Sequence, residues 1–166
     1  MSMFESRHDL SDENDFARLA SSMAHDAMLR AIGVLVLLGI GAMHFLQIVT
    51  TFQGTPLLGG AYVALIAACV LVAGALVRRG DGRTWAAAGI VSAGAIGGYI
   101  LTRLVNTPLD NQDLGNWSCM LGLAALFVET SLVACSGYAL ASARSRDRRF
   151  GPASVSVDAT RQRRAA

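Results

Sequence analysis

Four side chains stand out because they interrupt apolar runs long enough to cross a bilayer: His44, Gln47, Arg103 and Glu129. A polar or ionisable group inside such a run costs free energy, so each is a candidate for binding, and the ionisable three for proton relay or charge pairing. Glu129 falls ten residues into the last run, about 15 Å from its nearer end at 1.5 Å per helical residue. That is close to the midplane of a hydrocarbon core about 30 Å thick. His44 lies five or six residues from the corresponding end of the first run, about 8–9 Å deep. Arg103 is two residues from the end of the third, about 3 Å deep, with Gln47 at a similar level. The four are expected to form a polar ladder between helices, open to one side of the membrane.

Each of these residues also has a plainer reading. His44 can be a hydrogen-bonded packing residue, and Glu129 a neutral carboxyl bonding across helices. Arg103 can snorkel to the interface and pair with Asp110 or Asp113 of the loop that follows. His44 and Glu129 differ in depth by about 6 Å, a gap that side-chain length spans only in part.

The elements that must position these groups follow from composition. The chain has 166 residues, 53% of them hydrophobic, and a mean hydropathy of +0.45. That exceeds the 45–50% apolar content usual in soluble domains, and the charges collect in the tails and loops. Hydropathy marks four spans at about 31–49, 57–77, 85–105 and 119–140, which predicts an all-α four-helix transmembrane bundle over 31–141. Residues 1–30 form a polar segment in which Phe16, Leu19, Ala20, Met23 and Ala27 recur at helical spacing. That pattern predicts a short amphipathic helix lying at the membrane surface and running into the first span. Residues 142–166 are Arg-rich and are expected to be a disordered tail. The first run lies behind a charged segment with no cleavage signal, so it reads as a retained span. Thr50 to Pro56 reads as a turn, Trp85 as an interfacial residue opening the third span. Gly89, Ala93 and Gly97, and again Gly94 and Gly98, repeat every four residues in that span, a spacing that lets helix backbones approach closely.

The net charge is +2, and every one of the 14 basic residues is Arg. Thirteen of them fall in the N-terminal segment, the loop between spans two and three, and the C-terminal tail; only Arg103 lies in a span. The positive-inside rule therefore predicts that both termini are cytoplasmic and that the loops at 50–56 and 106–118 face out. In the longer outer loop Asp110, Asp113, Asn116 and Trp117 are the polar and interfacial candidates, with Gly115 allowing a tight turn. Two loop carboxylates are too few for a metal site, and no metal or other cofactor is expected. Cys69, Cys119 and Cys135 read as small apolar fillers. There is no phosphate-binding Gly loop, no H-E-x-x-H and no G-x-S-x-G. A haem held between two spans by histidine would need two copies of His44, since His8 and His25 precede the first span. Nothing points to nucleic acid.

Between Tyr99 and Glu129 the chain resembles a family of small, functionally uncharacterised four-span membrane proteins of actinobacteria. The residues that carry the likeness are Thr102-Arg103, Pro108, Asp113-Leu114-Gly115-Asn116-Trp117, Leu121-Gly122 and Phe127-Val128-Glu129. Asn106 and Ser118-Cys119 depart from that pattern, which shows Gly and Glu-Pro there. The resemblance implies an integral protein of a bacterial plasma membrane and no activity. From small size, short loops and the third span's small residues, the leading expectation is a non-enzymatic accessory or assembly subunit of a membrane complex, or a homo-oligomer. The alternatives are a small transporter or proton pathway using the ladder, and an enzyme acting on a lipid or quinone with His44 or Glu129 as acid or base.

Overall fold

Gly54-Thr55-Pro56 turns the chain with a single residue. Thr55 is extended, at φ −141° and ψ 91°, as the residue before a proline prefers. Pro56 then starts the next helix, where its missing N–H costs nothing. The computed structural model describes the backbone of residues 2–106 and 113–150 and the side chains of residues 16–106 and 113–145. It contains four helices: α1 Ser2–Gly54, α2 Pro56–Arg78, α3 Gly82–Leu104 and α4 Met120–Phe150. α1 packs on α2 and α4, and α3 packs on α4 and α2, so the four helices close a ring. All four contain stretches long and apolar enough to cross a membrane. The exterior is apolar, with Leu46, Leu71 and Phe127 each about three-quarters exposed, as suits a bundle whose solvent is lipid.

Glycines set three close approaches. A Cβ on Gly59 would lie 2.6 Å from Phe52 Cγ, so the α1–α2 hairpin closes only around a glycine. A Cβ on Gly33 would lie 2.8 Å from Trp85 Cη2, which draws α1 against the start of α3. Gly80, at φ +57°, turns the chain between α2 and α3, and the Arg30 side chain lies over it. Asp81 then caps α3, accepting from the Thr84 N–H at 2.9 Å and from the Thr84 hydroxyl. The end of the bundle bearing Gly80 and both terminal segments is the terminal end below; the end bearing Thr55 and residues 105–119 is the loop end.

Several boundaries differ from expectation, each for a physical reason. The first span does not stop at 49. Thr50, Thr51 and Gln53 lower the hydropathy but break no backbone bond, and α1 runs on to Gly54. Thr50 and Thr51 instead bond their hydroxyls back to the Gln47 carbonyl at 2.9 and 2.8 Å. Residues 2–30 are helical and run into the first span, as expected, and with no proline to interrupt them they form one unbroken α1 with it. α4 likewise continues through Phe150 into the segment expected to be disordered; residues 151–166 lie outside the described residues. Trp85 is not an interfacial anchor: it is 4% exposed and packs with Leu37, Ile40, Cys69, Leu76, Ala88 and Leu132 in the core of the terminal half.

Candidate functional site

The extension of α1 changes the depth of His44. It now lies ten residues below Gly54, about 15 Å, and Glu129 lies nine residues below Met120, about 14 Å. The expected mismatch in depth disappears and the two side chains meet, with His44 Nε2 3.9 Å from Glu129 Oε1. Both are buried, His44 at 8% and Glu129 at 2% exposure. The other ring nitrogen of His44, Nδ1, lies 2.9 Å from the Ile40 carbonyl. A carbonyl only accepts, so Nδ1 carries the hydrogen and Nε2 is the nitrogen turned toward Glu129. The edge of the ring contact with Tyr62, at 4.8 Å between centroids and 81° between planes, fixes the imidazole further. On α4 the backbone at Glu129 is tied across the bundle, because Ser92 of α3 donates its hydroxyl to the Glu129 carbonyl at 2.7 Å.

Arg103 belongs to a second cluster, at the loop end. Its Nε–H donates to the Asn116 carbonyl at 3.0 Å. Nη1 donates to the Thr102 hydroxyl at 3.0 Å and to the Tyr99 carbonyl at 3.4 Å, and Nη2 lies 3.5 Å from Asp113 Oδ2. The guanidinium stacks 3.6 Å above the Tyr99 ring, a cation–π arrangement. The loop folds onto it: Gly115, at φ +73°, donates its N–H to the Arg103 carbonyl at 3.1 Å, and Asn116 closes back on Asp113 through backbone and side chain. Trp117 sets its ring edge-on to Tyr99 at 6.3 Å. Arg103 is thus 7% exposed and held by the loop, and of its two proposed carboxylate partners Asp113 is met, while Asp110 lies outside the described residues.

Between the clusters is a cavity of about 410 Å³. His44, Gln47, Arg103 and Glu129 all line it, so the four candidates share one space rather than forming a contiguous ladder. Gln47 sits about one turn above His44 and reaches back to the Met43 carbonyl at 3.5 Å. Asp113 lines the rim; Asn116 and Trp117 act on it through Arg103 and Tyr99. The small residues of α3 have a different use from the one expected. Among the glycines of the two four-residue repeats only Gly89 approaches a described residue of another helix, its Cβ position 3.3 Å from Ser136 Cβ on α4. Gly94 and Gly98 have no described residue of another helix within 4 Å of a Cβ position, and they border the cavity. Ala61 and Ala64 of α2 border it too; like Gly94 and Gly98 they are exposed, so the cavity opens sideways between α2 and α3.

Sequence reasoning did not single out Tyr62 and Tyr99, which also line the cavity. Their signal was a hydroxyl inside an apolar run at the level of the other polar groups. The Tyr99 hydroxyl is buried and finds no hydrogen-bond partner among the described residues. Of the cysteines, Cys69 sits in the packed core, Cys135 against it, and Cys119 on the cavity wall. Comparison with family models, curated proteins and solved structures finds no match, and the site is read from its own geometry.

Proposed function

We propose that the protein is a ligand-binding protein of a bacterial plasma membrane, with both termini cytoplasmic and the loop end outside. It takes a small amphipathic molecule from the outer half of the bilayer. The orientation rests on the distribution of Arg. The observation that carries the function is the side-opening cavity with a buried His44–Glu129 floor. Its volume of about 410 Å³ falls in the range of small-molecule sites, and apolar walls with a few convergent polar groups are their usual make-up.

The alternatives draw less support. A fixed path across the membrane would need a continuous polar or open route beyond Glu129, and the buried Ser136 hydroxyl alone does not make one. Leu37, Ile40, Leu76 and Leu132 are fully buried there, with Trp85 packed among them. An accessory-subunit role leans on the small-residue face of α3, of which Gly94 and Gly98 border the cavity, leaving exposed Ala93 and Gly97 as the part that a further helix would meet.

Native mass spectrometry of protein released from its own membrane in lipid nanodiscs tests the reading. Wild type should carry a non-polypeptide adduct. Gly98→Leu should lose it while keeping its helical spectrum, because the new side chain enters open space at the mouth. An adduct-free wild type, or equal occupancy in Gly98→Leu, overturns the proposal.

A further inference from the structure

We infer that the occupant is an uncharged lipophilic ring bearing carbonyl or hydroxyl oxygens, of the quinone and hydroquinone class, with its oxygen on the His44–Glu129 floor. This rests on the ligand-binding reading above and names the class of ligand.

Depth is the first argument. The floor lies about 14–15 Å below the loop end, near the middle of a hydrocarbon core about 30 Å thick. A phosphate head group does not descend to the midplane, because a charge there is costly. An uncharged carbonyl or hydroxyl on an apolar skeleton does so at far lower cost.

Charge is the second argument. Arg103, the only arginine among the described residues that line the cavity, is committed to Asn116, Thr102, Tyr99 and Asp113. An anionic head would have to displace these bonds. With one proton shared across His44 Nε2 and Glu129, the floor is neutral in either arrangement, so a neutral occupant leaves the balance unchanged. A cation would require that proton to leave.

Hydrogen-bonding capacity is the third. The 3.9 Å separation exceeds hydrogen-bond length, so neither group satisfies the other directly. One shared proton gives the pair one donor and one acceptor at a time. A quinone carbonyl accepts from that donor; a hydroquinone hydroxyl donates to that acceptor. The floor therefore holds either oxidation state. Ala61, Ala64, Gly94 and Gly98 border the mouth, and their small size leaves room for a flat ring arriving from the bilayer.

The test uses full-length protein in lipid nanodiscs, titrated with decylubiquinone and separately with its hydroquinone, reading quenching of tryptophan fluorescence. Trp117 beside Tyr99 is the reporter at the rim. Saturable quenching by both forms is expected, weakened tenfold or more in Glu129→Leu and several-fold in His44→Leu. Tetraphenylphosphonium and a lysophosphatidylglycerol should not compete. Circular dichroism confirms that the variants fold, and His44→Leu carries the test should Glu129→Leu misfold. Linear quenching unaffected by both variants, or displacement by the cation or the phospholipid, overturns the class. If the native adduct is lost in Gly98→Leu but decylubiquinone does not displace it, the ligand class is wrong and the ligand-binding reading stands. If there is no native adduct and no saturable quenching, both fall.

Discussion

Arg103→Lys keeps the charge and removes the fork, so it separates the two ways in which Arg103 could hold the 113–117 segment. The ion pair with Asp113 is at 3.5 Å, and the Asp113 side chain is 38% exposed. Such a pair contributes only about 0–1 kcal/mol, and a lysine retains part of it. The Nε–H bond to the Asn116 carbonyl and the Nη1 bond to Thr102, both at 3.0 Å, depend on a planar group with donors in fixed directions. A hydrogen bond from a charged donor is worth about 1.5–3 kcal/mol, and stacking on Tyr99 adds about 0.5–1 kcal/mol. A lysine ammonium can recover one of these contacts. The net loss is then about 2 kcal/mol, or roughly 30-fold in the local opening equilibrium. Hydrogen exchange at the amides of Gly115, Asn116 and Trp117 reads that opening, since each donates to a backbone carbonyl within the cluster. Exchange there should rise about 30-fold in Arg103→Lys, and only a few-fold in Asp113→Ala at the Gly115 amide. Protection left intact in Arg103→Lys but abolished in Asp113→Ala would refute this, because charge alone would then hold the loop.

At the other end of the bundle, Gly33→Ala should lower stability by about 1–3 kcal/mol in thermal unfolding, the usual cost of overpacking. Its Cβ would meet Trp85 at 2.8 and 3.1 Å and Leu76 at 3.3 Å; an unchanged transition would mean that the α1–α3 approach is not set by this glycine. Asp81→Ala should lower the unfolding midpoint at pH 7 and have progressively less effect in acid. The Thr84 hydroxyl, then the Thr84 N–H, with Arg79 and Arg83 nearby, hold the Asp81 carboxyl below its ordinary range. A folded-state value below the unfolded one gives stability that is present above the unfolded value and lost as pH falls through the folded one. The difference between wild type and variant should therefore close at the acid end of the carboxylate range, and a constant difference across pH would show that ionisation of the cap is irrelevant.

The four spanning helices were legible because hydropathy and length answer to one physical constraint, the thickness of the hydrocarbon. Helix ends were less so, because hydropathy and helix-breaking are different properties. Thr50, Thr51 and Gln53 are polar without being breakers, and the true stop is Gly54-Thr55-Pro56. That five-residue difference placed His44 too shallow and separated it from Glu129 on paper. The glycines of α3 show a second limit. A period of four says that one face is small, but not whether a helix or an open space faces it, and both occur here: Gly89 meets Ser136, while Gly94 and Gly98 meet no described residue of another helix. Trp85 reads as an interface marker because of its position at the start of a span; what buries it is Gly33, fifty-two residues away.

The separation of the polar groups into two clusters follows from the same geometry. Arg103 is one residue from the end of α3, whereas Glu129 is about 14 Å down α4. No arginine side chain spans that distance, so the charge near the loop had to find its partners locally, and the loop supplies them. His44 and Glu129 were then left to each other at a distance too long for a hydrogen bond. The interval between the clusters is walled by the small residues of α2 and α3, which leave it open. Two separable consequences follow. Damage to the rim should loosen the loop and leave the floor intact, whereas damage to the floor should cost ligand affinity and leave the loop's amide protection unchanged. A variant at Glu129 that also released the protection of Gly115 and Asn116 would mean that the clusters are coupled, and the cavity would then be one continuous polar site rather than a rim and a floor.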